Sequence, residues 1–337
     1  MKKSNDELIK TIYKKLLFRE PDYEGYTHFL NLLKTKQIDE NKFIDIIKNS
    51  DEYKLRQKVV IFNKQKKYVF TGNHDLKYNI HPNSVLDNLL TQRGSIDENL
   101  INLTKNHLEK NGIILDVGAN AGFLSLPFAK YVVPKGNVYS FEPDSELYDQ
   151  LHENIKLNEL QNIHINKLAL QDDSHMNTIQ LQKRRAIHDD GRTNFGLSTI
   201  QNNPEYVVGS EFVQTDTVDH FLISNNISNV DLIKIDVEGA EFRVLKGAKY
   251  TIRKFHPKII YEFSRTIDKL TNTKNTKNCF DYLKKFEYEQ FRILPNQNVK
   301  LLLKYDASLE DCDILCIPKK LRLDLKKEII KILNWKP

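Results

Sequence analysis

The run Ile113-Ile114-Leu115-Asp116-Val117-Gly118-Ala119-Asn120-Ala121-Gly122 decides the fold. An apolar strand breaks into glycines, and a helix-like stretch from Phe123 to Lys130 follows at once. Glycines permit a tight turn and keep side chains away from a ligand, and the N–H groups at a helix start face that ligand. The NAD fingerprint is Gly-x-Gly-x-x-Gly, whereas this turn reads Asp-x-Gly-x-x-x-Gly. Downstream, the strand-like Val138-Tyr139-Ser140-Phe141 ends in Glu142. An acid at that place accepts both ribose hydroxyls in dinucleotide folds. Together the two features point to an adenosine-containing cofactor other than NAD, and S-adenosylmethionine fits them best.

Outward from this turn, strands and helices alternate. Strands are expected at 113–117, 137–142, 162–168, 231–236, 258–263, 288–293 and near 311–317, with helices at 122–131, 145–157, 239–255 and 276–285. Such alternation predicts an α/β fold: a Rossmann-like, seven-stranded, mostly parallel sheet with helices on both faces. Four regions follow from the patterning. Residues 1–58 form a small all-α module, in which Leu8, Ile12, Leu16 and Phe29, Leu32, Leu33 recur at helical spacing around the turn Glu20–Gly25. Residues 59–105 bridge to the main domain through a hairpin about Thr71–Asp75 and a helix from Ser95 to Leu108. The main domain covers 106–317. Residues 318–337 read as a basic amphipathic helix with Leu325, Ile329, Ile332 and Leu333 on one face.

Bulk properties narrow the class. The chain has 337 residues, 40% hydrophobic and 28% charged, which describes a globular protein with room for one large and one small domain. No apolar run resembles a signal peptide or a membrane span, so a cytoplasmic protein is expected. Cys279, Cys312 and Cys316 lack metal-ligand or CxxC spacing and are read as reduced thiols. The net charge of +6 is uneven: residues 1–70 carry +6, 318–337 carry +5, and the stretch between carries −5. A negative centre argues against a nucleic-acid partner. The basic tail makes contact with an anionic membrane face an expectation, alongside packing on the domain itself or on a second subunit in a homo-oligomer.

Two clusters carry the chemistry. The cofactor side takes Asp116, Gly118, Ala119, Asn120, Gly122 and Phe123 from the glycine turn, Glu142 and Pro143 after the second strand, and Ala169, Leu170 and Asp172 after the third, with Asp172 near the adenine edge. The second cluster is Leu232-Ile233-Lys234-Ile235-Asp236-Val237-Glu238-Gly239-Ala240-Glu241. Its strand delivers Asp236 to the carboxyl edge of the sheet, where ligands bind in open α/β folds. Asp236 therefore counts on both sides, and at least one of its three carboxylates is expected to face the substrate. Glu262 ends the neighbouring strand Lys258–Tyr261.

With these pieces assembled, Asp-Val-Gly-Ala-Asn-x-Gly, Phe141-Glu142-Pro143, Thr215-Asp216-Thr217-Val218-Asp219, the segment 232–241 and Val244-Leu245-Lys246-Gly247-Ala248 resemble the FkbM-type methyltransferases. That resemblance implies a class I S-adenosylmethionine-dependent fold and O-methylation of a sugar, glycan precursor or other small hydroxylated metabolite. It also implies that Asn194–Ser198 belongs to an insertion lining the acceptor side. The insertion, roughly 172–205, holds Arg184, Arg185, His188, Asp189 and Asp190 and reads as either a substrate lid or a disordered loop. At the N-terminus, Tyr13, Leu17, Arg19, Pro21-Asp22, Gly25, Phe29 and Ser50-x-Glu52-Tyr53 resemble a bacterial module of unknown function found beside glycan-modifying domains.

Methyl transfer needs alignment of the acceptor oxygen above all, with a general base adding about 10²–10⁴-fold. No histidine occupies a motif position, so Asp236, Glu238 and Glu262 are the expected catalytic groups, ahead of His188. No metal ligand set is assigned. Mg²⁺ at Asp236 and Glu262 is considered but not favoured, because a third ligand is missing. An NAD-dependent oxidoreductase and a non-catalytic cofactor-binding scaffold of glycan assembly are the competing classes.

Overall fold

The computed structural model describes residues 4–17, 20–54, 66–173, 177–188, 191–201 and 207–319. Arg19, Asp189, Asp190 and the expected tail helix from 320 onward lie outside the described residues. The chain divides into two compact units, one of residues 1–68, 80–88 and 186–194, the other of residues 69–79, 89–185 and 195–337.

In the first unit, helices Asn5–Ile12, Tyr23–Lys34 and Glu40–Asn49 close over Ile9, Tyr13, Leu17, Phe29 and Phe43. Each helix starts on a side-chain cap: Ser4 with Glu7 as a capping box, Asp22 accepting from Gly25 N (2.7 Å), and Asp39 accepting from Lys42 N (2.8 Å). Asp22 thus braces the turn, as its position suggests. A side chain at Gly25 would lie 2.5 Å from the Tyr13 hydroxyl, which ties these two motif residues together sterically.

The second unit is built on strands. In chain order they are β1 Tyr68–Thr71, β2 Lys77–Ile80, β3 Ile113–Val117, β4 Asn137–Phe141, β5 Ile163–Asn166, β6 Leu168–Leu170 and β7 Thr178–Arg184. Then come β8 Ala186–Ile187 and β9 Thr193–Asn194, which pair with each other in the first unit, and, back in the second, β10 Val207–Asp216, β11 Leu232–Ile235, β12 Lys258–Phe263, β13 Tyr288–Ile293, β14 Val299–Leu302 and β15 Cys312–Pro318. The main sheet has the order β14-β13-β15-β12-β11-β3-β4-β5. The pairs from β12 through β5 are parallel, while β15, β13 and β14 pair antiparallel. This is one strand more than the sequence suggests: β14 is a short edge strand with one partner, too brief for a periodic signal.

The core runs through Leu115, Val117, Ile233, Ile235, Val244, Ile252, Ile259, Tyr261 and Phe263. Cys279 and Cys316 are buried free thiols and Cys312 is partly buried. Two helices differ from expectation. The stretch after the glycine turn is a short turn, Ser125–Pro127, widened at Phe128–Val132, where Val133 N donates to Phe128 O, five residues back, at 2.8 Å. The expected helix 239–255 is two, Glu241–Gly247 and Lys249–Phe255, because Ala248 leaves helical backbone (φ −104°, ψ 16°). There Gly247 sits against Gln171, whose carbonyl oxygen a side chain would meet at 2.0 Å.

The insertion is folded in the described residues. β7 lies antiparallel to β10, which runs parallel to β6. Alternation along Thr178-Ile179-Gln180-Leu181 turns Leu181 into a small core with Ala169 and Val213. Among the described residues no helix is long and apolar enough to cross a membrane.

Candidate active site

At the carboxyl edge of β3 and β11 two turns meet. Gly118 (φ 83°) lies against the backbone that follows β11: a Cβ at this position would be 1.8 Å from the carbonyl oxygen of Asp236. Asp236 N in turn donates to Val117 O at 2.9 Å. Gly122 (φ 89°) has Leu126 and Leu151 where its side chain would be, at 2.4 and 2.6 Å. These glycines are therefore demanded first by protein packing.

The N–H groups of the turn do not face outward as the sequence reading expects. Gly118 N and Ala119 N both donate to Phe141 O at 3.0 Å, Asn120 N to Glu142 Oε2, Ala121 N to Asn120 Oδ1, and Gly122 N to Ala119 O. All five are spent within the chain. The physical reason is that the end of β4, with the Phe141 carbonyl and the Glu142 carboxylate, lies within reach of the turn and captures three of them. Asn120 takes the left-handed conformation (φ 51°) that this arrangement requires.

Glu142 is positioned by the same bonds. Oε2 accepts from Asn120 N (2.8 Å) and Oε1 from Asp144 N (2.9 Å), which fixes the carboxylate plane and leaves further lone pairs on both oxygens. Burial pushes its pKa up to about 8, against the lowering effect of those two donors. Asp116 is fully buried beneath the turn. Ser125 donates to its Oδ2 at 2.5 Å while Oδ1 has no hydrogen-bond partner, and burial raises its pKa. Phe123 and Leu170 are buried beside them, and Ala169 belongs to the β7–β10 cluster. Asp172 is engaged by two cations, Arg243 Nε at 3.0 Å and Lys246, which pin the turn after β6 to the helix from Glu241.

At the ends of β11 and β12, Asp236, Glu238 and Glu262 each present a carboxylate oxygen, all within 4.8 Å of one another. Glu238 (φ 55°) and Gly239 (φ 97°) turn sharply, and the bend is held from both sides. Beneath it, Glu241 Oε1 accepts from Val237 N (2.9 Å) and Gly239 N (3.2 Å), and Asn275 donates to Oε2. Above it, Thr199 Oγ1 donates to Glu238 O (2.8 Å) and Gln201 Nε2 to Gly239 O (3.2 Å). Of the three acids in this segment, Glu241 is the one that closes the turn.

Lys234, 5% exposed, places Nζ 3.0 Å from Asp236 Oδ2. Burial opposes its charge, but the Asp236 and Asp116 carboxylates outweigh burial and keep it protonated. Burial first, then the charge of Asp236, pushes Glu238 up to about 8 and Glu262 well above the usual carboxylate range. Asp313, opposite Glu262 in the β12–β15 register, is pushed up to about 7 by burial and the charge of Asp97.

Sequence reasoning placed Arg185 and Ser198 in the insertion but did not give them the joining role that the structure shows. Arg185, 7% exposed, donates to Asp144 Oδ2 (2.7 Å), Ser198 Oγ (2.8 Å) and Phe195 O (3.0 Å), and Ser198 Oγ donates to Asp144 (2.7 Å). The insertion is thereby fixed to the loop after Glu142 at one end and to the Glu238 turn at the other. Lys234 left a readable signal, a lone cation in an otherwise apolar strand; Asp97 and Asp313 left none. His188 falls in the other compact unit.

Strand order, glycine turn and terminal acid together define a class I, Rossmann-like methyltransferase fold. The methyltransferase FkbM domain matches residues 116–292, more than half of the chain, and the chain belongs to that family. Residues 1–57 match a domain of unknown function, DUF4214, and 39–169 match the protein-L-isoaspartate(D-aspartate) O-methyltransferase domain. The chain is 27% identical over 154 residues to the hexuronic acid methyltransferase AglP of Haloferax volcanii, covering 45% of this chain and 56% of that protein. It is 29% identical over 146 residues to methyltransferase 1 of Beauveria bassiana, covering 41% and 58%. The chain thus spans little more than half the length of these relatives. The solved methyltransferase FkbM from Methylobacillus flagellatus superposes over 90% of this chain and 58% of its own, at 15% identity and TM-score 0.38.

Proposed function

We propose that the protein is an S-adenosylmethionine-dependent O-methyltransferase whose acceptor is a hydroxyl of a sugar, glycan or glycan precursor. The observation that carries this reading is the contact of the two turns: the glycine turn and the Asp236 backbone touch, so a cofactor beside Glu142 and an acceptor beside Asp236 would share one edge of the sheet. The chain's residues suit the cofactor. The Glu142 carboxylate is oriented with lone pairs to spare for ribose hydroxyls, and the acid-rich edge favours a cation. When bound, S-adenosylmethionine supplies an electrophilic methyl group on a sulfonium. Around it, Asn120 and Glu142 hold the ribose end, Ala169 and Leu170 offer an apolar wall, and Asp236 and Glu238 orient the acceptor and take its proton. Family membership supports the reaction class, and the name of the H. volcanii relative supports a sugar acceptor.

Calorimetry tests it. S-adenosylhomocysteine is expected to bind at micromolar concentration and NAD not at all; folded protein that binds neither, or NAD alone, would overturn the reading. Titration of Glu142 adds a second test. Ribose hydroxyls need the ionised carboxylate, and in the free protein that form prevails only above about pH 8. Affinity should therefore rise with pH, by at most about tenfold per unit, and level off above that value. Glu142→Gln should bind about tenfold more weakly and lose this slope. A slope identical in the variant would remove Glu142 from the ribose site.

A further inference from the structure

We infer that Asp236, Glu238 and Glu262 form the seat of a divalent cation of the Mg²⁺ class, and that the acceptor is a vicinal diol held on that cation. The inference rests on the acceptor-side reading above. One hydroxyl proton needs one base, yet three carboxylates converge here from the end of β11, the following turn and β12. Three carboxyls this close cannot all ionise unless something positive lies between them. Among the described residues Lys234 pairs with Asp236, at 3.0 Å, and the charges of Arg184 and Lys234 act on Glu238 without outweighing its burial.

A separate observation points to a missing partner. Glu262 Oε2 is buried and accepts no hydrogen bond among the described residues. A buried carboxylate oxygen without a donor is costly, and this one belongs to a carboxylate that faces the other two. More negative charge stands behind the cluster, since Asp313 lies directly across the ladder from Glu262. Hard oxygen ligands with no sulfur or imidazole suit Mg²⁺ or Mn²⁺. At a metal–oxygen distance of about 2.1 Å, ligand oxygens lie about 3 to 4 Å apart. The observed limit of 4.8 Å needs only a small closure.

Mg²⁺ keeps several positions for water or substrate when proteins bind it through few carboxylates. Two adjacent ring hydroxyls fill two of them, and a bound cation favours loss of the proton from the hydroxyl to be methylated. A lone alcohol would use half of that site, which is why the acceptor class narrows to sugars with neighbouring hydroxyls.

The test is titration of the full chain with Mn²⁺, followed by electron paramagnetic resonance. One Mn²⁺ per chain is expected, displaced by Mg²⁺, and Glu262→Gln should weaken it at least about tenfold. Glutamine keeps the shape of Glu262 and adds no charge to the cluster, so the variant should fold, and unchanged S-adenosylhomocysteine binding will show that it does. Mn²⁺ bound equally by wild type and variant, or bound by neither, overturns the inference while leaving the methyltransferase reading intact. Mn²⁺ held at Glu262 in a protein that binds no S-adenosylhomocysteine supports the cation seat and sinks that reading instead.

Discussion

Gly118→Ala is expected to cost about 3–5 kcal/mol and to lower the melting temperature by on the order of 10 °C. Two independent effects combine. The residue sits at φ 83°, where an L side chain adds about 1–2 kcal/mol. Its new methyl would lie 1.8 Å from the Asp236 carbonyl oxygen and 2.8 Å from the carbonyl carbon, and backbone cannot swing aside as a side chain can. Relief requires β3 and β11 to part at the edge where both turns begin, so S-adenosylhomocysteine binding should vanish along with stability. Gly209→Ala in β10 is the control. Nothing lies within 4 Å of a Cβ there, and the change should stay within about 0.5 kcal/mol. Equal melting temperatures for the two variants would refute the contact.

Asp236→Asn should lower methyl transfer by about 10²–10⁴-fold while leaving S-adenosylhomocysteine affinity within a few-fold. Asp236 is the more open partner of its salt bridge: its side chain is 40% exposed against 6% for Lys234. Asparagine keeps the shape and an oxygen for the Lys234 Nζ, so the variant removes charge rather than structure. Lys234 then retains Asp116 and Asp313 as its counter-charges, and a stability loss of about 1–3 kcal/mol should accompany the loss of rate. A turnover number within threefold of wild type on a competent acceptor would remove Asp236 from the chemistry; a change confined to KM would make it a positioning group.

The parts of this site that lie along one strand were legible in the chain. Glycine spacing, the acid after Phe141 and the Leu232–Glu241 run are local patterns, and period and turn chemistry suffice to place them. What was not legible depends on neighbours far apart in sequence. Glu241 reads like another substrate-facing acid; positive φ at Glu238 and Gly239 instead aims it beneath the turn toward backbone N–H groups. Asp172 reads like an adenine contact, yet Arg243 and Lys246, some seventy residues on, claim both its oxygens. Asp313 joins the acid cluster only because β15 runs antiparallel beside β12 in a register no spacing reveals. The insertion did carry a period-two pattern in Thr178–Leu181, but its charged flanks outweighed it.

The insertion touches the acceptor turn in an unusual currency. Thr199 and Gln201 address carbonyl oxygens of Glu238 and Gly239, and every residue has a carbonyl oxygen. The clasp therefore recognises the path of the main chain and is indifferent to which acids stand on it. A segment held that way is an exchangeable part: its sequence can drift while the carboxylates underneath keep their places.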